Sequence, residues 1–195
     1  MNMRMVAAMF ATIGALGVGV LATPRNEAIE HLTAKSALMT SSARLTLRPV
    51  DIAISQWSTY DNHLALSEAL LEKGSAAFMS LLCSLGSVGT ITVMDAPPVA
   101  IRYAWFVEER SGSRRIYLGT DEPVPLAGAF FRRFPEAESL TFIELRMNPN
   151  GVGEGKLSEA ESLSVDESRN VIELRDYDRR PLHLLRVRSD RLFEE

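Results

Sequence analysis

Cysteine is nearly absent from this sequence of 195 residues, which contains only Cys83. One cysteine cannot form an internal disulfide bond, so the hydrophobic core alone must hold the fold together. Cys83 follows the apolar segment 78–82, whose composition is typical of a helix, and we predict that its side chain is a buried small hydrophobic group. A catalytic thiol would need a basic partner, and a redox thiol a second cysteine.

Lysine is also scarce. The only lysines are Lys35, Lys73 and Lys156, and acidic side chains outnumber basic ones by 25 to 21, which gives a formal net charge of −4. Nucleic-acid binders normally carry a basic surplus that attracts phosphates. The charge balance therefore predicts no nucleic-acid partner.

Charge is missing from most of the N-terminus, where Arg4 is the only charged side chain in residues 1–22. An uncharged run from Val6 to Ala22 follows, and Val20 and Ala22 are small residues at the positions that signal peptidase reads. We therefore predict a cleaved signal peptide over 1–22, export to the periplasm or the extracellular space, and no stable membrane insertion after cleavage. The alternative is an uncleaved anchor of borderline length, since a spanning helix needs roughly 20 apolar residues.

The rest of the chain has the composition of one globular domain. Hydrophobic residues make up 46% of the sequence and charged residues 24%, a balance that suits a single core at this length. Residues 23–42 are small and polar, and we predict that they form a flexible tether. The domain itself is predicted to span residues 43–190.

Two adjoining helices are predicted in the first half of this domain. Ser58 is a good N-cap residue for the first helix, and Gly74 is expected to end it. A second helix should run over 75–85, with Gly86 as its C-cap. The apolar face of the first helix would be formed by Tyr60, Leu64, Leu70 and Leu71.

Short strands are predicted on both sides of the helices. A strand over 45–54 should break at Pro49, and several short alternating segments follow Ser87 with turn residues between them. Short turns join antiparallel strands, because a parallel crossover needs about a dozen residues or more. The predicted fold class is α+β, with a signal peptide and then a helical pair packed on a curved, mostly antiparallel, barrel-like sheet of about seven or eight strands.

The tetrapeptide Ile-Glu-Leu-Arg occurs twice, at 143–146 and at 172–175. The flanking residues differ, which argues against a duplication. We interpret the two copies as half-buried strands whose Glu and Arg side chains face solvent and pair across strands.

Several short segments occur in order across most of residues 44–188: Trp57-Ser58-Thr59, Leu70-Leu71 with Lys73-Gly74, Val88-Gly89-Thr90-Ile91, Arg102-Tyr103-Ala104, Arg115-Ile116 with Thr120-Asp121, Phe142-Ile143-Glu144-Leu145, Gly153-Glu154-Gly155-Lys156-Leu157-Ser158 and Asn170-Val171-Ile172-Glu173-Leu174. In these segments the chain resembles an uncharacterised family of small exported bacterial proteins. The resemblance implies export and a single domain. It carries no activity and no site residue.

The glycine-rich segment 151–156 matches neither of two phosphate-binding patterns. A P-loop needs serine or threonine after its lysine, whereas leucine follows Lys156, and a dinucleotide fingerprint needs glycine where Lys156 stands. A calcium loop using Asn148, Asn150 and Glu154 stays open as an alternative, although the EF-hand spacing is not met. We favour a hairpin turn with a bulge, and we predict no metal and no cofactor.

The histidines His31, His63 and His183 lie in the tether, in the first helix and in a strand. No two of them have the spacing of zinc ligands. For His183 we favour a structural interior or edge position over a catalytic base. A serine hydrolase would need a marked nucleophile, and the sequence has no Gly-x-Ser-x-Gly segment.

Tyr103, Trp105 and Tyr117 form the best candidate ligand site. Alternation along 101–107 places Tyr103 and Trp105 on one side of a strand, and the turn at 111–113 should bring Tyr117 beside them. Their flat apolar rings with polar ends suit a small apolar ligand in the concavity of a curved sheet. The alternative is that they are core residues packed against the helices.

These observations predict an exported globular domain that acts as a non-enzymatic binding or interaction module of the cell envelope. A small apolar ligand and an envelope protein are the candidate partners. Two alternatives stay open, a small secreted hydrolase with an unidentified site and a purely structural envelope protein. The sequence does not decide whether the chain is an enzyme.

Overall fold

A computed structural model describes residues 28–39, 45–94, 96–124, 140–158, 163–175, 177 and 183–190. The predicted signal peptide lies outside these ranges. The described residues form twelve elements in the order β1 (Glu30–Met39), β2 (Leu45–Ile54), α1 (Tyr60–Lys73), α2 (Ser75–Ser84), β3 (Gly89–Val93), β4 (Val99–Glu108), β5 (Arg114–Thr120), β6 (Phe142–Met147), β7 (Val152–Ser158), β8 (Leu163–Asp166), β9 (Val171–Leu174) and β10 (His183–Ser189).

Eight of the strands close into an antiparallel barrel in the order β1-β10-β7-β6-β5-β4-β3-β2, with β2 paired to β1. The two remaining strands, β8 and β9, form a separate antiparallel sheet that the chain inserts between β7 and β10. The α+β class and the barrel-like antiparallel sheet are therefore confirmed. Of the helices described, neither is long and apolar enough to cross a membrane.

The first barrel strand corrects the tether that the sequence predicts over 23–42. Residues 30–39 form β1, which pairs with β2 along its whole length and with β10 on its other edge. Alternate side chains from Glu30 to Ser36 are buried. Hydrophobic alternation does not reveal this strand, because the buried positions include the polar residues Glu30 and Ser36.

The barrel interior is filled by apolar side chains from every strand. One fully or nearly fully buried residue from each of the eight strands illustrates this core: Leu32, Ile52, Ile91, Ile101, Ile116, Ile143, Leu157 and Leu184. Interior positions that alternate with outward ones are the normal way in which a small barrel is filled.

One end of the barrel is closed by a buried ion pair between opposite walls. The guanidinium of Arg114 in β5 donates to both carboxylate oxygens of Glu30 in β1, each at 3.0 Å. β1 and β5 are four strands apart in the ring of eight, so this pair spans the barrel. The rings of Phe106 and Trp57 lie 4.7 and 5.8 Å from the Arg114 guanidinium carbon and cover it.

The helices and the β8–β9 sheet pack on the outer wall formed by β4, β5 and β6. A second apolar cluster fills the space between these layers and includes Leu66 of α1, Phe78 and Leu82 of α2, and Ile172 of β9. The helical pair therefore lies on one face of the barrel, as the sequence predicts.

Helix boundaries follow local signals closely, with two corrections. Thr59, not Ser58, is the N-cap of α1, and its hydroxyl accepts from the backbone N–H of Asn62. Gly74 separates the helices at φ 81°, in the region that favours glycine. Cys83 is exposed, so its predicted burial is wrong, because α2 buries only the face that carries Phe78 and Leu82.

Pro49 does not break its strand, contrary to the prediction, and β2 is continuous through it. The ladder between β2 and β3 ends at the pair Val50–Val93, and Val50 directly follows the proline in the chain. The missing N–H of Pro49 therefore costs no hydrogen bond to β3, and its carbonyl accepts from Met94 at 3.0 Å.

Candidate functional site

A β-bulge in β4 decides which way the predicted aromatic residues face. Ile101 is opposite Thr120 while Tyr103 is opposite Gly119, so β4 carries one extra residue at this point. Because side chains alternate along a strand, the extra residue reverses the faces. Ile101 therefore belongs to the barrel interior. Tyr103, Trp105 and Val107 lie on the other face of the strand and belong to the outer cluster.

The structure brings Tyr103, Trp105 and Tyr117 together, but on the outer wall of the barrel and not in its concavity. Trp105 and Tyr117 are directly opposite each other on β4 and β5, and all three side chains lie in the cluster under the helices. Tyr103 and Tyr117 are fully buried, and Trp105 is partly buried. Their ligand role stays a prediction.

His63 of α1 completes this group, which we call the aromatic–histidine cluster: His63, Tyr103, Trp105 and Tyr117. The Nδ1 atom of His63 is 2.8 Å from the hydroxyl oxygen of Tyr103 and shares a hydrogen bond with it. The imidazole also stacks on the Trp105 indole, with ring centroids 4.3 Å apart. His63 is fully buried, and this burial lowers its pKa, while Asn170 in the β8–β9 turn partly offsets the effect.

Two polar atoms of the cluster, Nε1 of Trp105 and the hydroxyl oxygen of Tyr117, are buried without a hydrogen-bond partner among the described residues. Nε2 of His63 is also buried and makes no hydrogen bond of good geometry, although Asn170 lies near enough to the ring to raise its pKa. A buried polar atom without a partner costs about 1–3 kcal/mol, so such atoms are rare in folded proteins. Burial also raises the pKa of both Tyr103 and Tyr117, which keeps the two hydroxyls protonated.

Glu144 of β6 lies next to Tyr117 across the strands and is fully buried. One carboxylate oxygen accepts from Nε of Arg146 at 3.0 Å, and the other accepts from the backbone N–H of Leu174 at 3.3 Å. Burial raises the pKa of Glu144, while the bond from Arg146 opposes this effect. The solvent-facing position predicted for Glu144 is therefore wrong, because β9 covers it.

Two neighbours of Glu144, Lys156 and Arg146, also contact Tyr177. Nζ of Lys156, which lies opposite Glu144 on β7, donates to the carbonyl oxygen of Tyr177 at 2.7 Å. The Tyr177 ring also lies 3.6 Å from the guanidinium carbon of Arg146. The two Ile-Glu-Leu-Arg copies thus meet through the Glu144–Leu174 hydrogen bond, an arrangement that their sequence similarity does not reveal.

The other predicted candidates lie apart from the aromatic–histidine cluster. His31 is partly exposed at the start of β1, where Nδ1 is 2.8 Å from Asp190 and Nε2 is 2.9 Å from Asp51. These bonds raise the pKa of His31, with the one to Asp190 contributing most. His183 begins β10, and its side chain is outside the described part of the structure.

The glycine-rich segment forms the β6–β7 hairpin with the predicted bulge, because Gly151 and Val152 both oppose Asn148: the carbonyl of Asn148 accepts from Gly151 and its N–H donates to Val152. The ladder beyond the turn has no register shift. The side-chain oxygen of Asn148 accepts from the N–H groups of Asn150 and Val152, and Gly151 has φ 68°. Asn148 thus stabilises a turn. In the described ranges no three His, Cys, Asp or Glu side chains are grouped as metal ligands would be.

Sequence reasoning missed His63 and Asn170 as members of the site. The buried face of α1 consists of His63, Leu66 and Ser67, while Tyr60 is 58% exposed, so the face predicted for this helix was rotated. The spacing of His63 and Leu66, one helical turn apart, was the available signal. Asn170 has φ 52°, which is uncommon outside glycine.

The fold and the cluster together define a closed eight-stranded barrel with a covered aromatic–histidine group on its outer wall. No protein-family model matches the chain, and searches of curated proteins and of solved structures find no match.

Proposed function

We propose that this chain is an exported, non-enzymatic binding module of the cell envelope, and that it takes a small ligand at the aromatic–histidine cluster. The ligand would have an apolar body and at least one hydrogen-bonding group. The observation that carries the proposal is the pair of buried polar atoms without partners among the described residues, Nε1 of Trp105 and the hydroxyl oxygen of Tyr117. A ligand that hydrogen-bonds to them would remove their cost.

A cleft at the border of the cluster offers a route for the ligand. Its volume is about 410 Å³, and it lies between the α1–α2 joint and the β8–β9 sheet. Leu70, Leu163 and Val165 line this cleft and also belong to the outer apolar cluster. A ligand could therefore reach the aromatic rings by displacing the β8–β9 sheet from α1, while the filled barrel interior stays unchanged.

Export is the second part of the proposal and rests on the uncharged segment that ends at Ala22 and on the family resemblance. Protein recovered from outside the cytoplasm should have the mass of a chain that begins at Thr23. An intact mass that still includes residues 1–22 would contradict cleavage and would favour the anchor.

The hydrolase alternative gains no support from the described residues. A nucleophilic mechanism needs a serine or cysteine side chain in hydrogen-bond reach of a base. The ring of His63 bonds to Tyr103, and the ring of His31 bonds to Asp190 and Asp51. Neither ring forms a hydrogen bond with a serine or cysteine side chain in the ranges that the structure covers.

Binding is tested with N-phenyl-1-naphthylamine, an uncharged apolar fluorescent probe, on a Trp57→Phe chain in which Trp105 is the only tryptophan. We expect saturable quenching of Trp105 as the probe is added. Tyr117→Phe removes a hydroxyl without a partner, so it should not lower stability but should weaken probe binding or change the bound spectrum. Tyr60→Phe, which removes an exposed hydroxyl on α1, is the matched control.

A Trp105 side chain that only fills the core would give a different result. If Trp105 only fills the core, the probe causes no saturable quenching, and Trp105→Ala lowers the free energy of unfolding by about 3–5 kcal/mol. Quenching that is identical in the Tyr117→Phe and Tyr60→Phe chains would place the probe elsewhere and would overturn the proposed site.

A further inference from the structure

A shallow depression lies on the barrel wall opposite the helices, where β10, β1, β2 and β3 are neighbours. Its volume is about 450 Å³. The residues that matter for its chemistry are Thr33, Lys35, Thr92, Met94, Arg186 and Arg188. The depression shares no lining residue with the aromatic–histidine cluster, so the two places do not overlap.

Three exposed cations line this depression, namely Lys35, Arg186 and Arg188. None of them forms an ion pair or hydrogen bond with any residue that the structure describes. Several other arginines pair with carboxylates, as at Arg102–Asp121 and Arg114–Glu30. An acidic protein that leaves three cations together without partners has a local positive field suited to an anion.

A β-bulge in β10 places two of these cations. Lys35 of β1 is opposite Leu185, but Thr33 is opposite Arg188, so β10 has one extra residue between the two pairs. Arg186 lies within this bulge at φ 54°, in the left-handed region that non-glycine residues rarely adopt. Backbone strain of this kind is concentrated at functional sites.

The bulge has a direct effect on where Arg186 lies. Leu184 and Val187 are both fully buried in the barrel interior, although they are three residues apart. With regular alternation from Leu184, Arg186 would face the interior and Val187 the solvent. The bulge instead leaves both Arg186 and Arg188 exposed on the outer wall, beside Lys35.

A second strained residue borders the same depression. Met94 follows β3 at φ 52°, and its side chain is 51% exposed. Met94, Asn170 and Arg186 are the non-glycine residues with positive φ in the described chain, so two of the three lie at this depression.

One carboxylate, Asp51, also lines the depression and must be weighed against the cations. Its oxygens are each 2.9 Å from Nε2 of His31, so this carboxylate is already engaged by a neighbouring ring. The hydroxyl groups of Thr33 and Thr92 supply further donors on the same surface. The depression has three cations and one carboxylate, and that carboxylate is already bonded to His31. The net charge of the depression is therefore positive.

We propose that this depression is a binding site for a phosphate-class anion, which Lys35, Arg186 and Arg188 hold together. Lys35 supplies a compact charge, and each arginine supplies a planar fork of donors that matches two phosphate oxygens. A group with several acceptor oxygens, such as a phosphate monoester or diester, can contact all three side chains at once. The anion has two possible sources, a free phosphate compound and the headgroup of an anionic lipid.

The site is tested by isothermal titration calorimetry with pyrophosphate at constant ionic strength, on the wild-type chain and on variants. Arg186→Gly removes the side chain and also suits the left-handed backbone, so it should raise the melting temperature while it weakens binding roughly tenfold. The double variant Lys35→Gln with Arg188→Gln should abolish binding. Arg110→Gln, which removes an exposed arginine from the β4–β5 turn, should bind as the wild type does.

Co-sedimentation with phosphatidylcholine vesicles, with and without phosphatidylglycerol, distinguishes the two sources. Sedimentation that requires phosphatidylglycerol and is lost in Arg186→Gly assigns the site to a lipid headgroup, whereas pyrophosphate binding without sedimentation assigns it to a free phosphate compound. If neither probe binds, or if Arg110→Gln weakens binding as much as Arg186→Gly does, the proposal is wrong.

Discussion

The imidazole ring of His63 lies parallel to the indole ring of Trp105, with centroids 4.3 Å apart and planes inclined by 4°. This stack joins α1 to β4, so it reports directly on the contact between the helices and the barrel. Burial lowers the pKa of His63 below the ordinary value of 6.5. The ring is therefore neutral at pH 7 and becomes charged only in acid.

Acidification should quench the fluorescence of Trp105 in the Trp57→Phe chain, because a protonated imidazole in contact with an indole accepts an electron from its excited state. The midpoint should lie below pH 6.5, since the pKa of His63 is lowered. His63→Phe keeps a stacked ring and should remove the transition. A midpoint at or above 6.5 would show that the His63 ring is not buried.

The same group should make stability depend on pH. Between the folded pKa of His63 and the unfolded value of 6.5, the unfolded chain binds the proton more readily, so the free energy of unfolding falls as the pH is lowered through this window. His31 acts in the opposite sense. Its raised pKa adds stability that is complete below 6.5 and is lost as the pH rises through the folded pKa.

Urea denaturation of His31→Gln and His63→Phe chains across this pH range separates the two effects. The His31→Gln chain should retain the loss of stability in acid, and the His63→Phe chain should retain only the loss above pH 6.5. Identical pH profiles for the two variants would contradict the assignment.

The ion pair between Glu30 and Arg114 should be sensitive to the loss of either partner. Both side chains are almost completely buried, so Arg114→Met leaves a buried carboxylate and should cost about 3–5 kcal/mol of unfolding free energy. Glu30→Met with Arg114→Met should recover much of this loss, because the charge is then absent. Glu109→Met, which breaks the partly exposed pair with Arg115, is the control and should cost about 1 kcal/mol or less.

Gly153→Ala should destabilise the barrel by about 1–3 kcal/mol, the usual cost of overpacking. A Cβ atom at this position would collide with the carbonyl oxygen of Arg146 on the neighbouring strand, and backbone cannot move aside as a side chain can. Gly86→Ala is the control, because nothing lies within 4 Å of a Cβ there. Equal melting temperatures for the two variants would contradict the tight approach of β6 and β7.

Cys83 should react with a thiol reagent in the native protein as fast as a free thiol does, since its side chain is exposed. The measurement is the labelling rate with and without denaturant. Labelling that begins only after denaturation would restore the buried position that the sequence predicts.

Local signals determined the helices. Gly74 ends α1 because its positive φ suits glycine, and the run from Ser75 gives α2 nearly the predicted length. The antiparallel barrel-like sheet also followed from the sequence, since short turns leave no other pairing. These features depend on residues that are close to one another in the chain.

Only the tertiary structure decided which faces the key residues occupy. One inserted residue reverses side-chain alternation, so the bulges beside Tyr103 and at Arg186 set the outer cluster and the basic depression. The β1 strand exists because β2 and β10 pair with it. Glu144 is buried because β9 lies over it, and His63 because α1 packs on β4. Each of these positions depends on a contact between segments that are distant in sequence. The local sequence pattern does not encode such contacts.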